Sequence, residues 1–147
     1  MSHSKPNVLF VTGTDTGVGK TFVSSLLVRS LHELGYRIAV MKPVETGCMV
    51  DAEGRFIPSD GILLWEASGK HQAGEDVAPF RYQTAVAPSV AATIEGQSID
   101  YALLSEMVRG AALDVDLLLV EGAGGLMVPL NEQKTFLDFE FMLHEIK

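Results

Sequence analysis

The chain has 147 residues, of which 47% are hydrophobic, a composition typical of one globular domain with a buried core. Its eleven Lys and Arg residues are outnumbered by nineteen Asp and Glu residues, and the net charge of -8 argues against binding to nucleic acid or to a membrane surface. The single cysteine excludes an intrachain disulfide, and no apolar segment approaches the roughly 20 residues of a membrane span. These properties predict a cytoplasmic protein with a small-molecule ligand.

The first part of the chain predicts a strand, a glycine-rich turn and a helix. Residues 7–12 form a short apolar run, typical of a strand that is buried on both faces of a parallel sheet. Beyond the turn, apolar residues recur at helical spacing as far as Leu34, and Gly35 is positioned to end the helix. Residues 37–41 predict a second buried strand, so the unit is β-α-β with its two strands parallel.

The middle of the chain has weaker patterns. Residues 47–60 carry turn-forming residues without periodicity and are interpreted as a loop, followed by a short helix over residues 61–67. Residues 87–94 are interpreted as a loop leading into a helix that borders a substrate pocket or packs in the core. Farther on, the apolar spacing over residues 101–112 predicts another helix, and residues 116–120 predict a third buried strand.

The three predicted strands end in residues suited to anion or metal binding. The first ends in Gly13, the second in Lys42 and the third in Glu121. Ligands of open parallel sheets bind just beyond the carboxyl ends of the strands. The three segments are therefore expected to converge on one site.

The segment GTDTGVGKT, residues 13–21, lies between the first strand and the first helix, which is the context of a phosphate-binding loop. Gly17 and Gly19 permit a tight turn that points backbone amides inward, and the helix N-terminus adds its positive dipole end. Lys20 supplies a point charge to the outer phosphates, and the Thr21 hydroxyl is a predicted Mg²⁺ ligand. The sequence therefore predicts a nucleotide phosphate site.

Other polar residues are expected at the same sheet edge. Lys42, with Thr46 nearby, is either a solvated surface lysine or a cation that stabilises a transferring phosphoryl group and its acceptor. The Glu121 carboxylate is predicted to hold Mg²⁺, and Asp60 is either a second metal ligand or the N-cap of the following helix. The turn at residues 122–125 can present free amides to a second anion, such as a substrate carboxylate.

With GTDTGVGKT, KPVETG, PSD and VEGAGGLMVPL in this order, the chain resembles the dethiobiotin synthetases, ATP-dependent carboxylases of biotin synthesis. The resemblance covers nearly the whole chain. It implies an α/β, Rossmann-like P-loop NTPase fold with a mostly parallel sheet and helices on both faces, usually in a homodimer. Residues 1–147 are interpreted as a single P-loop nucleotide-binding domain, and because family members continue through further strands, the resemblance implies that a C-terminal part is missing.

In that family, 7,8-diaminononanoate takes up CO₂ as a carbamate, the carbamate attacks the γ-phosphate of ATP, and the neighbouring amine closes the ring to give dethiobiotin, ADP and phosphate. The resemblance implies Mg²⁺ as cofactor and ATP as co-substrate. The residues implied in catalysis are Lys20, Lys42 and Thr46, and those implied as metal ligands are Thr21, Asp60 and Glu121. The implied ATP-binding residues are Gly13, Asp15, Thr16, Gly17, Val18, Gly19, Lys20, Thr21, Asp60, Glu121 and Gly124. The implied substrate-binding residues are Thr16, Lys42, Thr46, Gly122, Ala123, Gly124 and Gly125.

Two alternatives use the same phosphate loop. One is a catalytically incomplete nucleotide-binding or regulatory module, but such a module has no evident need for Lys42 and Thr46 beside the loop. The other is a partition-type ATPase, whose loop carries an additional signature lysine near its start. That position is Asp15 here, which disfavours this class.

Overall fold

The computed structural model describes residues 7–146 of the chain. The strands are β1 (Asn7–Val11), β2 (Ile38–Met41), β3 (Val44–Thr46), β4 (Met49–Val50), β5 (Phe56–Ile57), β6 (Phe80–Tyr82) and β7 (Leu117–Glu121). The helices are α1 (Lys20–Glu33), α2 (Ser59–Ala67), α3 (Pro88–Ile94), α4 (Tyr101–Ala111) and α5 (Phe136–His144), and a 3₁₀ turn at Gly74–Asp76 precedes β6. No helix in this part of the chain combines the length and apolar character needed to cross a bilayer.

The central sheet has three parallel strands in the order β1-β7-β2. Leu119 of β7 lies opposite Leu9 of β1 on one side and opposite Val40 of β2 on the other. The three predicted strands are therefore confirmed to within one residue, and β2 and β7 are buried as predicted. The prediction that the first strand is buried on both faces is wrong, because β1 is an edge strand without a buried residue. The predicted β-α-β unit is also confirmed as parallel, although β7 lies between its two strands.

Helices cover both faces of this sheet, because successive residues of a strand point to opposite faces. Leu119 packs with Val28 of α1 and Leu64 of α2 on one face. Leu118 packs on the other face in a larger cluster that includes Leu104 of α4. The α/β P-loop fold class predicted from the sequence is thus confirmed.

Helix α1 lies where the sequence predicts it, but most of its apolar residues face away from the core. The residues that it buries are Ser24, Ser25 and Val28. Val23 and Leu26 are 62% and 49% exposed. The helical spacing therefore identifies the helix but not the side that contacts the sheet. The exposed apolar residues of α1 and its C-cap are Phe22, Val23, Leu26, Leu27 and Leu34.

Two short features differ from the predictions. The segment interpreted as a loop over residues 47–60 contains an antiparallel hairpin of β4 and β5, and α2 begins at Ser59 instead of residue 61. Strands β3 and β6 pair in parallel as a second small sheet that the sequence patterns do not indicate. Strands of two or three residues are too short to show an alternating pattern, so periodicity cannot detect them.

Candidate active site

The side chain of Lys20 packs against the phosphate loop from which it extends. Gly17 and Gly19 have φ values of 69° and 101°, a left-handed conformation that glycine adopts readily and that lets α1 begin directly at Lys20. The Lys20 ammonium donates to the Asp15 backbone carbonyl at 2.7 Å. A Cβ on Gly13 would lie 3.3 Å from the Lys20 Nζ atom, so glycine leaves the room that the ammonium occupies.

Lys42 joins two carboxylates at the carboxyl ends of the strands. It follows β2 directly and is only 5% exposed. Its Nζ atom donates to Asp60 Oδ2 at 2.7 Å and to Glu121 Oε1 at 2.9 Å. The interpretation of Lys42 as a solvated surface lysine is therefore wrong, and the expected convergence of the strand ends is confirmed.

The charge on Lys42 is maintained by these partners. Burial by itself lowers the pKa of Lys42, but the carboxylates of Glu121 and Asp60 outweigh it, and the pKa is raised above its usual value. The ammonium form is therefore the resting form throughout the neutral pH range. A buried, permanently charged donor at this position can stabilise negative charge that develops on a ligand.

Glu121 lies at the end of β7 and is completely buried. Its Oε1 atom accepts from the Thr21 hydroxyl at 2.5 Å as well as from Lys42. Its Oε2 atom is buried with no hydrogen-bond partner among residues 7–146. A carboxylate oxygen without a partner, beside a threonine hydroxyl, is what a Mg²⁺ site requires, since this ion prefers oxygen ligands.

Protein groups alone supply few metal ligands here. The described part of the chain contains no group of three or more His, Cys, Asp and Glu side chains arranged to hold a metal ion. Mg²⁺ is commonly bound by one or two carboxylates together with substrate phosphates and water. Thr21, Asp60 and Glu121 fit that mode of binding, in which the nucleotide completes the coordination.

Asp60 does not cap helix α2. The N-cap position is Pro58, and Asp60 lies in the first turn with its carboxylate turned to Lys42. The backbone N–H groups of Asp60 and Gly61 instead donate to the two carboxylate oxygens of Glu45, each at 2.9 Å. The N-cap interpretation of Asp60 is therefore wrong, whereas its place beside Lys42 and Glu121 agrees with the metal-ligand prediction.

Glu45 is the main residue that the sequence analysis did not single out. It lies on β3 and is 6% exposed. Burial raises its pKa, although the two N–H donors act in the opposite direction. The one signal in the sequence is indirect: a helix that begins after a proline lacks a capping side chain, so an acceptor must come from another segment.

A cleft of about 330 Å³ collects most of the predicted site residues. Glu121 reaches this cleft from beneath through Thr21 and Lys42. Phe22 and Glu45 line it without having been predicted. The predicted residues in its lining are Thr16, Gly17, Gly19, Lys20, Thr21, Lys42, Thr46, Asp60, Ala123 and Gly124.

A second cavity, of about 460 Å³, adjoins this cleft and shares four of its residues. It adds the predicted residues Asp15 and Gly125, and residues 85–88 with Val128 form an apolar wall. Of residues 87–94, Ala87 and Pro88 line this cavity where the chain enters α3, and their place at the border of a substrate pocket stays a prediction. The shared residues are Thr16, Thr46, Ala123 and Gly124.

Besides Glu121, three predicted site residues line neither cavity. Gly13 lies under Lys20, and its N–H donates to the Gly124 carbonyl at 3.3 Å. Val18 is 53% exposed on the loop. Gly122 is buried, and a Cβ there would lie 3.1 Å from the Phe10 ring. These three residues contribute to the shape of the loops and do not line either cavity.

The chain matches the protein family described as an AAA domain over residues 7–144. The ATP-dependent dethiobiotin synthetase BioD of Thermodesulfovibrio yellowstonii is 40% identical over 125 residues, which are 85% of this chain and 52% of that protein. The protein of the same name from Anaeromyxobacter dehalogenans strain 2CP-C is 42% identical over 130 residues, 88% of this chain and 56% of that protein. The chain therefore spans about half the length of the curated relatives it matches.

Among solved structures, the signal recognition particle receptor FtsY of Elizabethkingia anophelis in complex with GDP aligns with a TM-score of 0.45 and 19% identity, over 100% of this chain and 36% of that chain. A likeness at this level carries no argument about function. The resemblance that the four sequence motifs predict is confirmed by the curated relatives at about 40% identity. The match over residues 7–144 shows that this chain belongs to the AAA domain family, within which it is similar to ATP-dependent dethiobiotin synthetases.

Proposed function

We propose that this chain carries out the dethiobiotin synthase reaction, in which 7,8-diaminononanoate, CO₂ and ATP give dethiobiotin, ADP and phosphate. The observation that carries the proposal is Lys42, a buried ammonium bonded to Asp60 and Glu121 at one end of the phosphate-loop cleft. A protein that only senses nucleotide has no evident use for a second buried cation there. The similarity to named dethiobiotin synthetases supports the same conclusion.

The phosphate loop would bind the triphosphate of ATP. Gly17, Gly19 and the first residues of α1 line the cleft, so their backbone amides would bind phosphate, and Lys20 would move from the Asp15 carbonyl to the outer phosphates. Thr21, Asp60 and Glu121 are the residues that we assign to Mg²⁺. When bound, this ion would neutralise charge on the phosphate oxygens.

Lys42 and Thr46 would act on the carbamate. The diamine nitrogen forms a bond to CO₂ and loses a proton, and a carbamate oxygen then attacks the γ-phosphorus while ADP leaves. The second amine attacks the carbonyl carbon of this mixed anhydride and expels phosphate, which closes the ring. Lys42 would donate to the carbamate and to the transferring phosphoryl oxygens, because its ammonium group lies at the cleft beside Asp60 and Glu121.

The adjoining cavity suits the diamine. Its wall of residues 85–88 and Val128 is apolar and fits a hydrocarbon chain, and Ala123, Gly124 and Gly125 offer backbone amides for the carboxylate. Because this cavity shares Thr16 and Thr46 with the phosphate cleft, a substrate in it would reach the γ-phosphate. We further propose a cytoplasmic homodimer that uses neither nucleic acid nor a membrane, in keeping with the net charge of -8.

The experiment is dethiobiotin formation from 7,8-diaminononanoate, bicarbonate and Mg·ATP by the wild-type chain, Lys42→Met and Lys134→Ala. Lys134 is a matched control, since it is half-exposed, lies outside both cavities and pairs with Asp138 at 3.7 Å. We expect Lys42→Met to lose about 100-fold in kcat with a retained fold, and Lys134→Ala to keep full activity. Nucleotide binding without product in the wild-type chain would contradict the proposal and favour a nucleotide-binding module.

A further inference from the structure

Helix α2 begins without a capping side chain of its own. Pro58 occupies the N-cap position and makes no side-chain hydrogen bond to the helix. The first backbone N–H groups of a helix have no acceptors within the helix, so they must find them elsewhere. Strand β3 supplies them through Glu45.

Glu45 uses both of its carboxylate oxygens for this contact. Oε1 accepts from the N–H of Asp60 and Oε2 from the N–H of Gly61, each at 2.9 Å. A Cβ on Gly61 would lie 3.0 Å from the Ala78 Cβ and 3.4 Å from Glu45 Oε2, so glycine permits the close approach. Strand β3 is itself held by β6, with Glu45 opposite Arg81 in the parallel ladder. The helix start is therefore fixed to the small sheet.

A buried carboxylate is a costly way to cap a helix. Glu45 is 6% exposed, and Asp60 and Glu121 already bring two carboxylates to Lys42, so a third adds repulsion and desolvation. A serine or threonine at position 58 would satisfy the same kind of N–H group at smaller cost. Capping alone therefore does not explain Glu45. Its contact also fixes the start of α2 to strand β3.

Glu45 and Lys42 both contact Asp60: Glu45 binds its backbone N–H and Lys42 binds its carboxylate. Asp60 donates its N–H to Glu45 and accepts from Lys42 Nζ at 2.7 Å through Oδ2. We infer that Glu45 is a positioning residue, which fixes the first turn of α2 so that the Asp60 carboxylate stays beside Lys42 and faces the cleft. This inference rests on the proposed function, in which Asp60 is a Mg²⁺ ligand.

Metal binding tests the inference separately from turnover. Mn²⁺ is titrated into the whole 147-residue chain with ADP, and the free ion is measured by its electron paramagnetic resonance signal. Loss of a group that orients a metal ligand typically weakens metal binding about 10-fold to 100-fold. We expect about 10-fold weaker Mn²⁺ binding in Glu45→Gln, which keeps one acceptor, and a larger loss in Glu45→Ala. Affinity for ADP in the presence of a chelator should not fall in either variant, because removing the Glu45 charge lessens the repulsion of a polyphosphate in the cleft.

Asp100→Asn is the matched control. The Asp100 carboxylate also caps a helix, accepting from the N–H of Leu103 at 3.0 Å at the start of α4, but it lies outside the cleft. We expect this variant to bind Mn²⁺ as the wild type does. Amide hydrogen exchange should become faster at Asp60 and Gly61 in Glu45→Ala and stay unchanged in β7, which separates local release from unfolding.

Three results would overturn the inference: wild-type Mn²⁺ affinity in a folded Glu45→Ala chain, an equal loss in Asp100→Asn, or no binding of Mn·ADP by the wild type. Failure of the proposed function has a different signature, in which the wild type binds Mn·ADP and forms no dethiobiotin. The two ideas can therefore fail independently.

Discussion

The two edges of the central sheet differ in the hydrogen-bond partners of their backbone groups. At the β2 edge, the Gln72 side-chain amide bonds both backbone groups of Val40, accepting from its N–H at 2.8 Å and donating to its carbonyl at 2.9 Å. The N–H of Lys42 continues this edge by donating to the Val77 carbonyl at 2.7 Å. At the opposite edge, β1 pairs with β7 and, among residues 7–146, with no other strand.

The side chains at the two edges also differ, in how far they are exposed. Leu64 of α2 is completely buried over β2, whereas Leu9 of β1 is 37% exposed. Lys42, which follows β2, thus lies on the covered side, whereas the phosphate loop follows β1. The β1 side has open backbone groups and apolar surface, which are features that accept a further strand and helix. The two edges of one sheet can therefore differ in how well they are covered.

The largest effect expected from this comparison is on the core over β2. Leu64→Ala should lower the free energy of unfolding by about 2–5 kcal/mol, because it leaves a cavity among buried neighbours such as Val28 and Val40. Leu26→Ala, the same change on the exposed side of α1, should stay within about 0.5 kcal/mol of the wild type. Urea denaturation of the two variants measures the difference. Equal losses would mean that the exposed face of α1 is packed as tightly as the core over β2.

A smaller effect is expected at the β2 edge itself. Gln72→Ala removes two hydrogen bonds from Val40 and should cost about 1–3 kcal/mol of unfolding free energy. The N–H of Val40 should also lose protection in amide hydrogen exchange. Gln133→Ala changes an exposed glutamine and should alter neither quantity. If Val40 stays protected in Gln72→Ala, the segment that contains Val77 must shield this edge without the glutamine.

The third effect is confined to alkaline pH and concerns Cys48, whose N–H extends the β3–β6 ladder by donating to the Tyr82 carbonyl at 2.9 Å. Burial, with the nearby Glu45 carboxylate, raises the pKa of Cys48 from 9.0 to about 11. The folded chain then retains a proton that the unfolded chain releases, so unfolding free energy should fall as pH rises between 9 and 11, by up to about 1.4 kcal/mol per pH unit.

Cys48→Ala should lack this part of the pH dependence, and pH-dependent urea denaturation of both chains measures it. Alkylation by iodoacetamide at pH 8 should be slow in the folded wild type and fast in urea. Rapid alkylation of the folded chain would mean that the covered side opens readily at β3.

The sequence predicted the parts of this structure that follow from long patterns and from one rule of sheet geometry. The apolar run before Glu121 defined β7, and the rule that ligands bind beyond strand ends brought Lys42 and Glu121 together correctly. The phosphate loop was recognisable because its glycines lie between a strand and a helix. These features can be recognised from residues that are consecutive in the sequence.

The remaining parts depend on contacts between distant, short segments. The role of Glu45 requires β3 to pair with β6 and α2 to begin after a proline, and three-residue strands have no detectable period. The orientation of α1 was hidden for another reason. Its buried side includes Ser24 and Ser25, small residues that suit close approach to a sheet, while Leu26 and Leu27 are exposed, so apolar character alone does not identify the side that faces the core.

In the proposed function, the bridge formed by Lys42 would make the metal ion and the nucleotide depend on each other for binding. The cleft contains two ammonium groups, Lys20 and Lys42, and the carboxylates of Glu45 and Asp60 line it with Glu121 directly beneath. A polyphosphate without a cation would meet this excess of negative charge, and a cation without a polyphosphate would lack most of its ligands. Thermodynamic linkage requires each to tighten the other by the same factor. The chain would thus stay empty when either is scarce and fill only when both are abundant.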